Sequence, residues 1–330
     1  AATTFDGYPL AQKGEAGRAL GIAVISSTVG GIFSVIILCF AAPLLARVAY
    51  EFRSPEYFAL TVFGLSMLAS ISAGGAVKNL IGGIFGVWLS TIGAERVTGI
   101  ERFMFGNYEL YEGLHFVPIF IGLFAISELL VQSKTVNKII NTVTMKAVKL
   151  PTIEDYKKIW KTILRSCGIG TFIGVLPAEG ATVASMIGYS EARRWSKNKK
   201  EFGKGAIEGI AGAEAANNAA TGGAMVPTMV LGIPGSGTTA IILVGLMVHG
   251  LRPGVYLFTE QVEKVYQIFG SMFVANVMFM LMGLYAAKLF ARVSLVPTQI
   301  LWPIVFALSV IGAYAFQGQL LDVWLALIFG

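Results

Sequence analysis

Long stretches that lack Asp, Glu, Lys and Arg recur along this 330-residue chain. With at most one charged residue inside each, they cover residues 19–46, 57–77, 79–94, 113–133, 265–287 and 293–321. A membrane-spanning helix needs about 20 mostly apolar residues, whereas barrel strands are shorter and alternate polar with apolar positions. The pattern therefore predicts transmembrane helices rather than strands.

Two further apolar regions are interrupted by Pro and Gly near their middle. They are residues 166–190 and residues 215–251, and the second is too long for a single span. Pro and Gly break helices, and broken backbone survives in a bilayer only where protein or a wet cavity surrounds it. We therefore predict re-entrant or broken helices here, with 215–233 and 238–249 as the two arms of the second region.

Composition narrows the class of protein further. Apolar residues make up 55% of the chain and charged residues 13%, against about 25% charged in an ordinary globular domain. Such a chain has too few polar groups to cover a soluble surface and too many apolar ones for disorder. Glycine is in excess, with 39 residues, which broken helices and close backbone contacts would use. The expected fold is an all-α polytopic membrane protein in contact with the lipid bilayer.

The positive charge is concentrated rather than spread. The net charge is +6, and more than half of the 25 Lys and Arg lie in 134–165 and 193–204. The positive-inside rule places both loops in the cytoplasm, so 166–190 enters and leaves the membrane on one side. Loop 94–112 is more acidic and is predicted to be outside. The basic charge thus indicates orientation and no nucleic-acid partner.

Similar segments recur about 245 residues apart. Ala46-Arg47-Val48 matches Ala291-Arg292-Val293, residues 63–68 match 306–311, and Thr3-Thr4 corresponds to Thr238-Thr239. Repeats of this size are typical of secondary transporters. We predict a first repeat at 1–131, a basic cytoplasmic linker at 132–165 and a second repeat at 166–330. The repeats are inverted if 215–251 counts as one net crossing.

The break in the second repeat is the clearest candidate binding site. A helix that starts at Ser236 or Thr238 would point free N–H groups and a positive dipole end into the membrane, where they can hold a carboxylate. The alternative is a kinked helix that packs against a neighbour. The predicted substrate-binding residues of this loop are Pro234, Gly235, Ser236, Thr238 and Thr239.

Two adjacent amides, Asn217 and Asn218, lie in an Ala-rich apolar run. Amide oxygens suit sodium and amide N–H groups suit carboxylates, so both residues are candidates for the substrate and for the coupling ion. The alternative is hydrogen bonding between helices, which Asn commonly performs in membranes. Glu214, one turn earlier, is a further coupling-ion candidate.

The other broken region offers the remaining candidates. Pro177, Gly180 and Thr182 are assigned to substrate binding, together with Thr3 and Thr4 as counterparts of the second-repeat threonines. Glu179 is a coupling-ion candidate because ionisable residues inside membranes are usually functional. The alternative is that Glu179 faces water at the membrane edge.

The sequence predicts neither catalysis nor a metal site. His115 and His249 lie near span ends without a visible second ligand, and no nucleophile, base and orienting group occur together. The prediction is therefore no cofactor beyond sodium or a proton as coupling ion. A passive channel or structural membrane subunit remains the alternative to a transporter, followed by an intramembrane enzyme.

The chain resembles the large membrane subunit (TctA) of tripartite tricarboxylate transporters. The matching segments are Asp6–Pro9, Ser90–Gly93, Arg102–Gly106, Phe116–Pro118, Ile121–Ile126, Phe202–Gly209, Glu214–Ala220, Leu231–Ser236 and His249–Gly254. Family members are longer, so the resemblance implies a fragment that lacks both ends. The family usually has Pro-Gly-x-Gly where this chain has Pro177-Ala178-Glu179-Gly180, and often Pro in place of Ala213.

The resemblance also implies a function. It implies a multi-pass permease subunit of the bacterial inner membrane that imports carboxylates such as citrate by symport with sodium or protons. Its implied partners are a small membrane subunit (TctB-like) and a periplasmic solute-binding protein (TctC-like).

Overall fold

A computed structural model describes residues 2–56, 58–59, 62–63, 66, 76–95, 99–133, 151–176, 180–285 and 298–330. The helices are α1 (Thr4–Leu10), α2 (Ala16–Tyr50), α3 (Ala76–Leu89), α4 (Phe116–Phe120), α5 (Ser127–Ser133), α6 (Ile153–Val175), α7 (Gly180–Trp195), α8 (Ile207–Leu231), α9 (Gly237–Val248), α10 (Val255–Thr259), α11 (Val262–Tyr285), α12 (Thr298–Gln317) and α13 (Leu320–Phe329). The predicted all-α architecture is confirmed.

Short irregular elements complete the described chain. π-helical turns at Ala11–Glu15 and Ile121–Ile126 join α1 to α2 and α4 to α5. Two-residue strands at Gly93–Ala94 and Glu101–Arg102 pair antiparallel within the loop predicted to be outside. Tyr108–Leu110 and Lys199–Glu201 form 3-10 turns.

The predicted spans correspond to observed helices. The continuous stretch Thr4–Tyr50 and α11 are each long and apolar enough to cross a membrane. Shorter apolar helices lie at Leu80–Leu89, Phe116–Val131, Gly237–Val248, Trp302–Gln317 and Leu320–Phe329. The predicted span 57–77 falls mostly outside the described residues.

The chain forms two compact units. The larger contains residues 1–67 and 142–289, and the smaller contains residues 68–141 and 290–330. Each unit combines residues from both predicted repeats, so this grouping leaves the repeat boundaries at 131 and 165 as predictions.

Helix α6 begins earlier than the hydrophobic pattern indicated. It starts at Ile153, inside the predicted linker, because Thr152 and Asp155 form a capping box at its first turn. Arg18 at the start of α2 donates to both Asp155 oxygens, from Nη2 to Oδ1 at 2.6 Å and from Nε to Oδ2 at 3.0 Å. The polar first turn of α6 is thereby fixed to α2.

Helix α8 is the centre of the larger unit. Its Ala- and Gly-rich sequence is buried along most of its length against α2, α6 and α7. A Cβ on Gly30 of α2 would overlap the carbonyl oxygen of Ala215, and a Cβ on Gly170 of α6 would overlap that of Ala216. The glycine excess therefore lets backbones approach closely, as in membrane helix packing.

The contacts along α8 fix the directions of its neighbours. Gly170 faces Ala216 and Gly174 faces Ala220, so α6 runs parallel to α8. Gly188 of α7 faces Ala216 and Gly212. The carbonyl of Ala181, at the start of α7, accepts from Asn217, so α7 runs antiparallel to α8. Helices α6 and α7 therefore form a hairpin along α8, as predicted for a segment that enters and leaves on one side.

Helices α2 and α11 also run in opposite directions. Gly31 meets Asn276, and Val24 meets Gly283 further along α11. An offset of about 245 residues pairs α2 with α11, and inverted repeats require equivalent helices to have opposite directions. The arrangement agrees with inverted repeats, which remain a prediction.

In the smaller unit, α12 and α13 pack against the segment 116–126. Ile126, Ala313 and Ala326 form its buried core. Gly122 lies against the carbonyl oxygen of Ala326, since a Cβ there would come within 2.5 Å. The indole N–H of Trp302 donates to the carbonyl of Leu129 at 2.9 Å.

Candidate binding site at the helix breaks

Asn218 lies where α2, α8 and α11 meet. Its Nδ2 donates to the carbonyl of Ser27 at 2.8 Å and to Oδ1 of Asn276 at 2.9 Å. Gly31 makes room for this amide pair: a Cβ there would overlap the Asn276 oxygen and lie 2.6 Å from Asn218 Nδ2. Two hydrogen bonds from one amide group therefore connect three helices.

Asn276 is a member of this cluster that the sequence interpretation did not select. Its own Nδ2 donates to the carbonyl of Met272 at 2.9 Å, which leaves Oδ1 to accept from Asn218. The sequence did contain a signal for it, an amide in the middle of the apolar span 265–287. Burying an unpaired amide there costs free energy, so a hydrogen-bond partner was to be expected.

Asn217 contacts the other broken region. Its Nδ2 donates to the carbonyl of Ala181 in the first turn of α7 at 3.0 Å. Gly180, the first residue of α7, adopts φ 65°, a left-handed conformation that glycine tolerates, and Thr182 is exposed. The candidates Pro177 and Glu179 lie outside the described residues. The hydrogen bonding between helices considered as an alternative is thus present for both Asn217 and Asn218.

Two further candidates meet on α8. The Thr3 hydroxyl donates to Oε1 of Glu214 at 2.7 Å, and both side chains are half-buried. Glu214 and Asn218 lie four residues apart and therefore share a face of α8. Thr4 is exposed at the start of α1.

The break after α8 is held against that helix. Gly232 ends α8 with φ 69°, and the next N–H, of Ile233, donates to the carbonyl of Pro227 at 3.3 Å. The N–H of Gly235 donates to the hydroxyl of Thr228 at 3.3 Å. Pro234, between them, is half-buried.

The predicted start of the second arm is confirmed. Ser236 caps α9: its Oγ accepts from the Thr239 N–H at 3.2 Å, and Thr239 Oγ1 accepts from the Ser236 N–H at 2.8 Å. Because the two hydroxyls serve the cap, the groups directed outward are the first-turn N–H groups of Gly237 and Thr238, which have no partner within the helix. Both residues are exposed.

The two breaks lie close to each other. The Cβ position on Gly235 is 3.2 Å from the carbonyl oxygen of Gly174, near the end of α6, and 2.8 Å from the Ala224 methyl. Ala224 is six residues from Asn218, or about 9 Å along α8. The structure therefore brings the 234–239 loop, the end of α6 and the Asn pair to one part of the larger unit, and the contact of the loop with Ala224 lies about 9 Å along α8 from Asn218.

The histidines make other contacts. His249 Nδ1 lies 2.8 Å from the carbonyl of Gly245, and the His115 ring packs edge-on against Phe316 at 5.7 Å. Among the described residues, no group of three or more His, Cys, Asp or Glu is placed to hold a metal ion.

Comparison with known proteins agrees with the membrane architecture. The model of the tripartite tricarboxylate transporter TctA family matches residues 1–330. A 52.8 kDa protein of the TAR-I ttuC' 3' region of Agrobacterium vitis is 36% identical over 337 residues, which cover all of this chain and 66% of that relative. A protein of the TAR-II ttuC' 3' region of the same organism is 35% identical over 161 residues, which cover 49% of this chain and 66% of the relative.

No solved structure matches the chain significantly. The family match extends over every residue of the sequence, and the helical membrane fold fits it. The chain therefore belongs to the tripartite tricarboxylate transporter TctA family, a family of membrane transporter components.

Proposed function

We propose that this chain is the permease part of a secondary-active importer of small carboxylates such as citrate, driven by a sodium or proton gradient. Family membership supports transport of this class of substrate. The observation that carries the site is the amide cluster of Asn218 and Asn276, about 9 Å along α8 from the loop that caps α9.

A carboxylate suits both ends of this region. The first-turn N–H groups of Gly237 and Thr238 offer donors and a positive dipole end at little cost in formal charge. Asn217 offers an amide N–H at the other end, because its bond to Ala181 uses only one of its two, whereas Asn218 would have to exchange its bonds to Ser27 and Asn276 for bonds to the substrate. Two separate groups of donors suit a substrate with more than one carboxylate. We also assign substrate binding to three residues at the α6–α7 break, namely Pro177, Gly180 and Thr182.

The coupling ion is proposed to bind beside the amides. Asn217 and Asn218 contribute oxygens, Glu214 contributes a carboxylate on the same face of α8, and Glu179 is the further candidate. Sodium prefers oxygen ligands of this kind, whereas a proton needs only one of the carboxylates.

We place this subunit in the bacterial inner membrane as a multi-pass protein. The word tripartite in the family name supports two partners, which we propose are a small membrane subunit and a periplasmic solute-binding protein. Substrate delivered from outside would reach the site by alternating access around the helix breaks.

Uptake by the complete protein, reconstituted with its partners in vesicles, tests the site. Asn218→Ala removes the contact between α8, α2 and α11, and Thr239→Ala removes half of the α9 cap. Both should lower carboxylate uptake at least tenfold while membrane insertion is unchanged. Ser271→Ala is the matched control, because the Ser271 hydroxyl is exposed and bonds only within its own helix. Wild-type uptake by both site variants would refute the assignment.

Gradient dependence separates a transporter from a passive channel. Ionophores that collapse the sodium and proton gradients should abolish accumulation of the carboxylate against its own gradient. Accumulation depends on coupling, whereas a channel only equilibrates its substrate. Equal fluxes with and without both gradients would favour the channel.

A further inference from the structure

A buried carboxyl group without a hydrogen-bond partner lies in the smaller unit, whereas the proposed substrate site belongs to the larger unit. Asp322 of α13 is 0% exposed, and neither of its oxygens has a partner among the described residues. The side-chain oxygen of Gln319 is also buried without a partner. Three oxygen acceptors close in sequence therefore lack a donor.

The helix geometry places these two side chains together. Gln319 is the N-cap residue of α13, and Asp322 is the third residue of that helix. Side chains at the N-cap and third positions face each other at a helix start, as in a capping box. The buried atom of Gln319 is its amide oxygen rather than its NH2 group, so in this orientation both side chains present acceptors and a proton on Asp322 would join them.

The first turn of α13 favours a negative charge, but the rest of the surroundings do not. Gly122 faces Ala326 and Ile126 faces Gly330, so the segment 116–126 runs parallel to α13. One turn earlier, this register places Asp322 level with Pro118, which is buried and has no N–H to donate.

Charged residues are scarce on the elements packed against Asp322. The segment 116–126 and α12 contain no Asp, Glu, Lys or Arg, and Asp322 is the only such residue in α13. The ionisable groups that act on Asp322 are His115, which favours its charged form, and Glu109, which opposes it. An ionised carboxylate with no donor in such surroundings costs several kcal/mol more than a neutral acid (order of magnitude).

We propose that Asp322 and Gln319 form a buried proton-binding site, in which Asp322 carries a proton at neutral pH and donates it to the Gln319 amide oxygen. One bound proton then satisfies an oxygen on each side chain. His115, whose ring packs against Phe316 at the end of α12, is the neighbour that favours release of the proton.

A metal ion fits this site less well than a proton. Hard cations bind six or more oxygens in proteins, whereas these two side chains supply three. His115 and Glu109 also act on Asp322, but among the described residues these three do not form a group that could hold a metal ion. A proton needs only one oxygen to bind and a second oxygen to accept its hydrogen bond, and Asp322 and Gln319 provide these two oxygens.

Infrared spectroscopy of the purified full-length protein tests the protonation state directly. The difference spectrum of wild type minus Asp322→Asn at pH 7 should contain the C=O band of a protonated carboxylic acid, because all other acids cancel. Carboxylate bands in its place would overturn the proposal. The readout does not depend on transport, so it stands apart from the proposed function.

A second variant tests whether Gln319 accepts the proton of Asp322. This test remains possible if the Asp322→Asn protein does not fold. Gln319→Leu removes the acceptor, so the acid band should shift in the difference spectrum of wild type minus Gln319→Leu. The matched control is Gln317→Leu, an exposed glutamine at the end of α12, which should leave the band in place. An unshifted band in Gln319→Leu would contradict the hydrogen bond.

Stability provides an independent measurement. Asp322→Asn keeps a donor toward Gln319 and should leave Tm unchanged, whereas Asp322→Leu leaves the Gln319 oxygen without a partner and should lower Tm. An ionised Asp322 without a donor predicts the opposite, since both substitutions would then remove an unpaired buried charge and raise Tm.

Discussion

At the scale of single residues, the candidate site depends on what one position lacks. Gly31 has no side chain, and the space that a Cβ would occupy holds the amide groups of Asn218 and Asn276. Gly30 and Gly170 let two backbones approach each other, whereas Gly31 lets two polar side chains pass over the backbone of α2. The polar contact between three helices therefore depends on Gly31 as much as on the amides.

Replacement of Gly31 by Ala should disrupt this cluster. The added methyl overlaps Asn276 Oδ1, so the amide pair or α2 must move, at a cost of about 1–3 kcal/mol. We expect a lower Tm in detergent and reduced carboxylate uptake. Gly245→Ala is the control, because a Cβ at Gly245 in α9 meets nothing within 4 Å. Equal effects of the two substitutions would contradict the role given to Gly31.

At the scale of elements, polar groups decide where helices begin. Thr152 and Asp155 start α6 inside a basic segment, and Ser236 and Thr239 start α9 just beyond Pro234. In both cases side chains satisfy N–H groups that a new helix leaves without partners. Capping by side chains therefore fixes the start of both α6 and α9.

Asp155 also makes the α6 start dependent on pH. The Arg18 hydrogen bonds, together with those from Thr152, lower the Asp155 pKa to about 2, below the ordinary value of 3.8. A lowered folded-state pKa stabilises the fold above pH 4 and loses that contribution as the pH falls from about 4 to 2. The shift corresponds to about 2 kcal/mol.

We therefore expect Asp155→Asn to lower Tm at pH 7 and to match wild type more closely as the pH approaches 2. Asn keeps one acceptor oxygen for the helix start, so the substitution removes the charge and one of the two Arg18 hydrogen bonds. Glu15→Gln is the control, since Glu15 binds the same Arg18 at a more exposed position and should contribute less than 1 kcal/mol. A Tm difference that is constant with pH would contradict this assignment.

At the scale of the whole molecule, two basic segments of the larger unit lie near the start of α2. They are 151–165, the described part of the first basic loop, and 193–204. Arg18 binds Asp155 in one segment, and Lys13 Nζ donates to the carbonyl of Lys204 in the other at 2.6 Å. The prediction that both basic loops share one side of the membrane requires this arrangement. The opposite end of α2 lies with the start of α11, where Ala46 and Val265 share a buried cluster.

Cysteine accessibility should report this arrangement. With Cys39 and Cys167 replaced, single cysteines at Glu51 and Gln261 should react with an impermeant reagent from the same side of the membrane in intact cells. The reason is that α2 ends where the antiparallel α11 begins. A cysteine at Lys199, in a basic loop, is the control and should react only after permeabilisation. Labelling of positions 51 and 261 from opposite sides would contradict the antiparallel pair.

The hydrophobic pattern alone determined the class of fold and the positions of most helices. Uncharged stretches of span length leave few alternatives to helices in a bilayer, and Pro and Gly mark the breaks because they remove hydrogen bonds from a helix. The start of α9 at Ser236 followed from local capping chemistry, which depends on adjacent residues. The start of α6 was missed because its capping box lies outside the apolar run.

Only the tertiary structure decided which polar groups meet. Asn276 is 58 residues from Asn218, and Thr3 is 211 residues from Glu214, so no local pattern links them. Their contacts arise because Gly- and Ala-lined helices approach closely around α8, and packing of that kind depends on surfaces rather than on spacing along the chain. The sequence determined that this protein lies in the membrane with broken helices, and tertiary packing decided how its polar residues combine there.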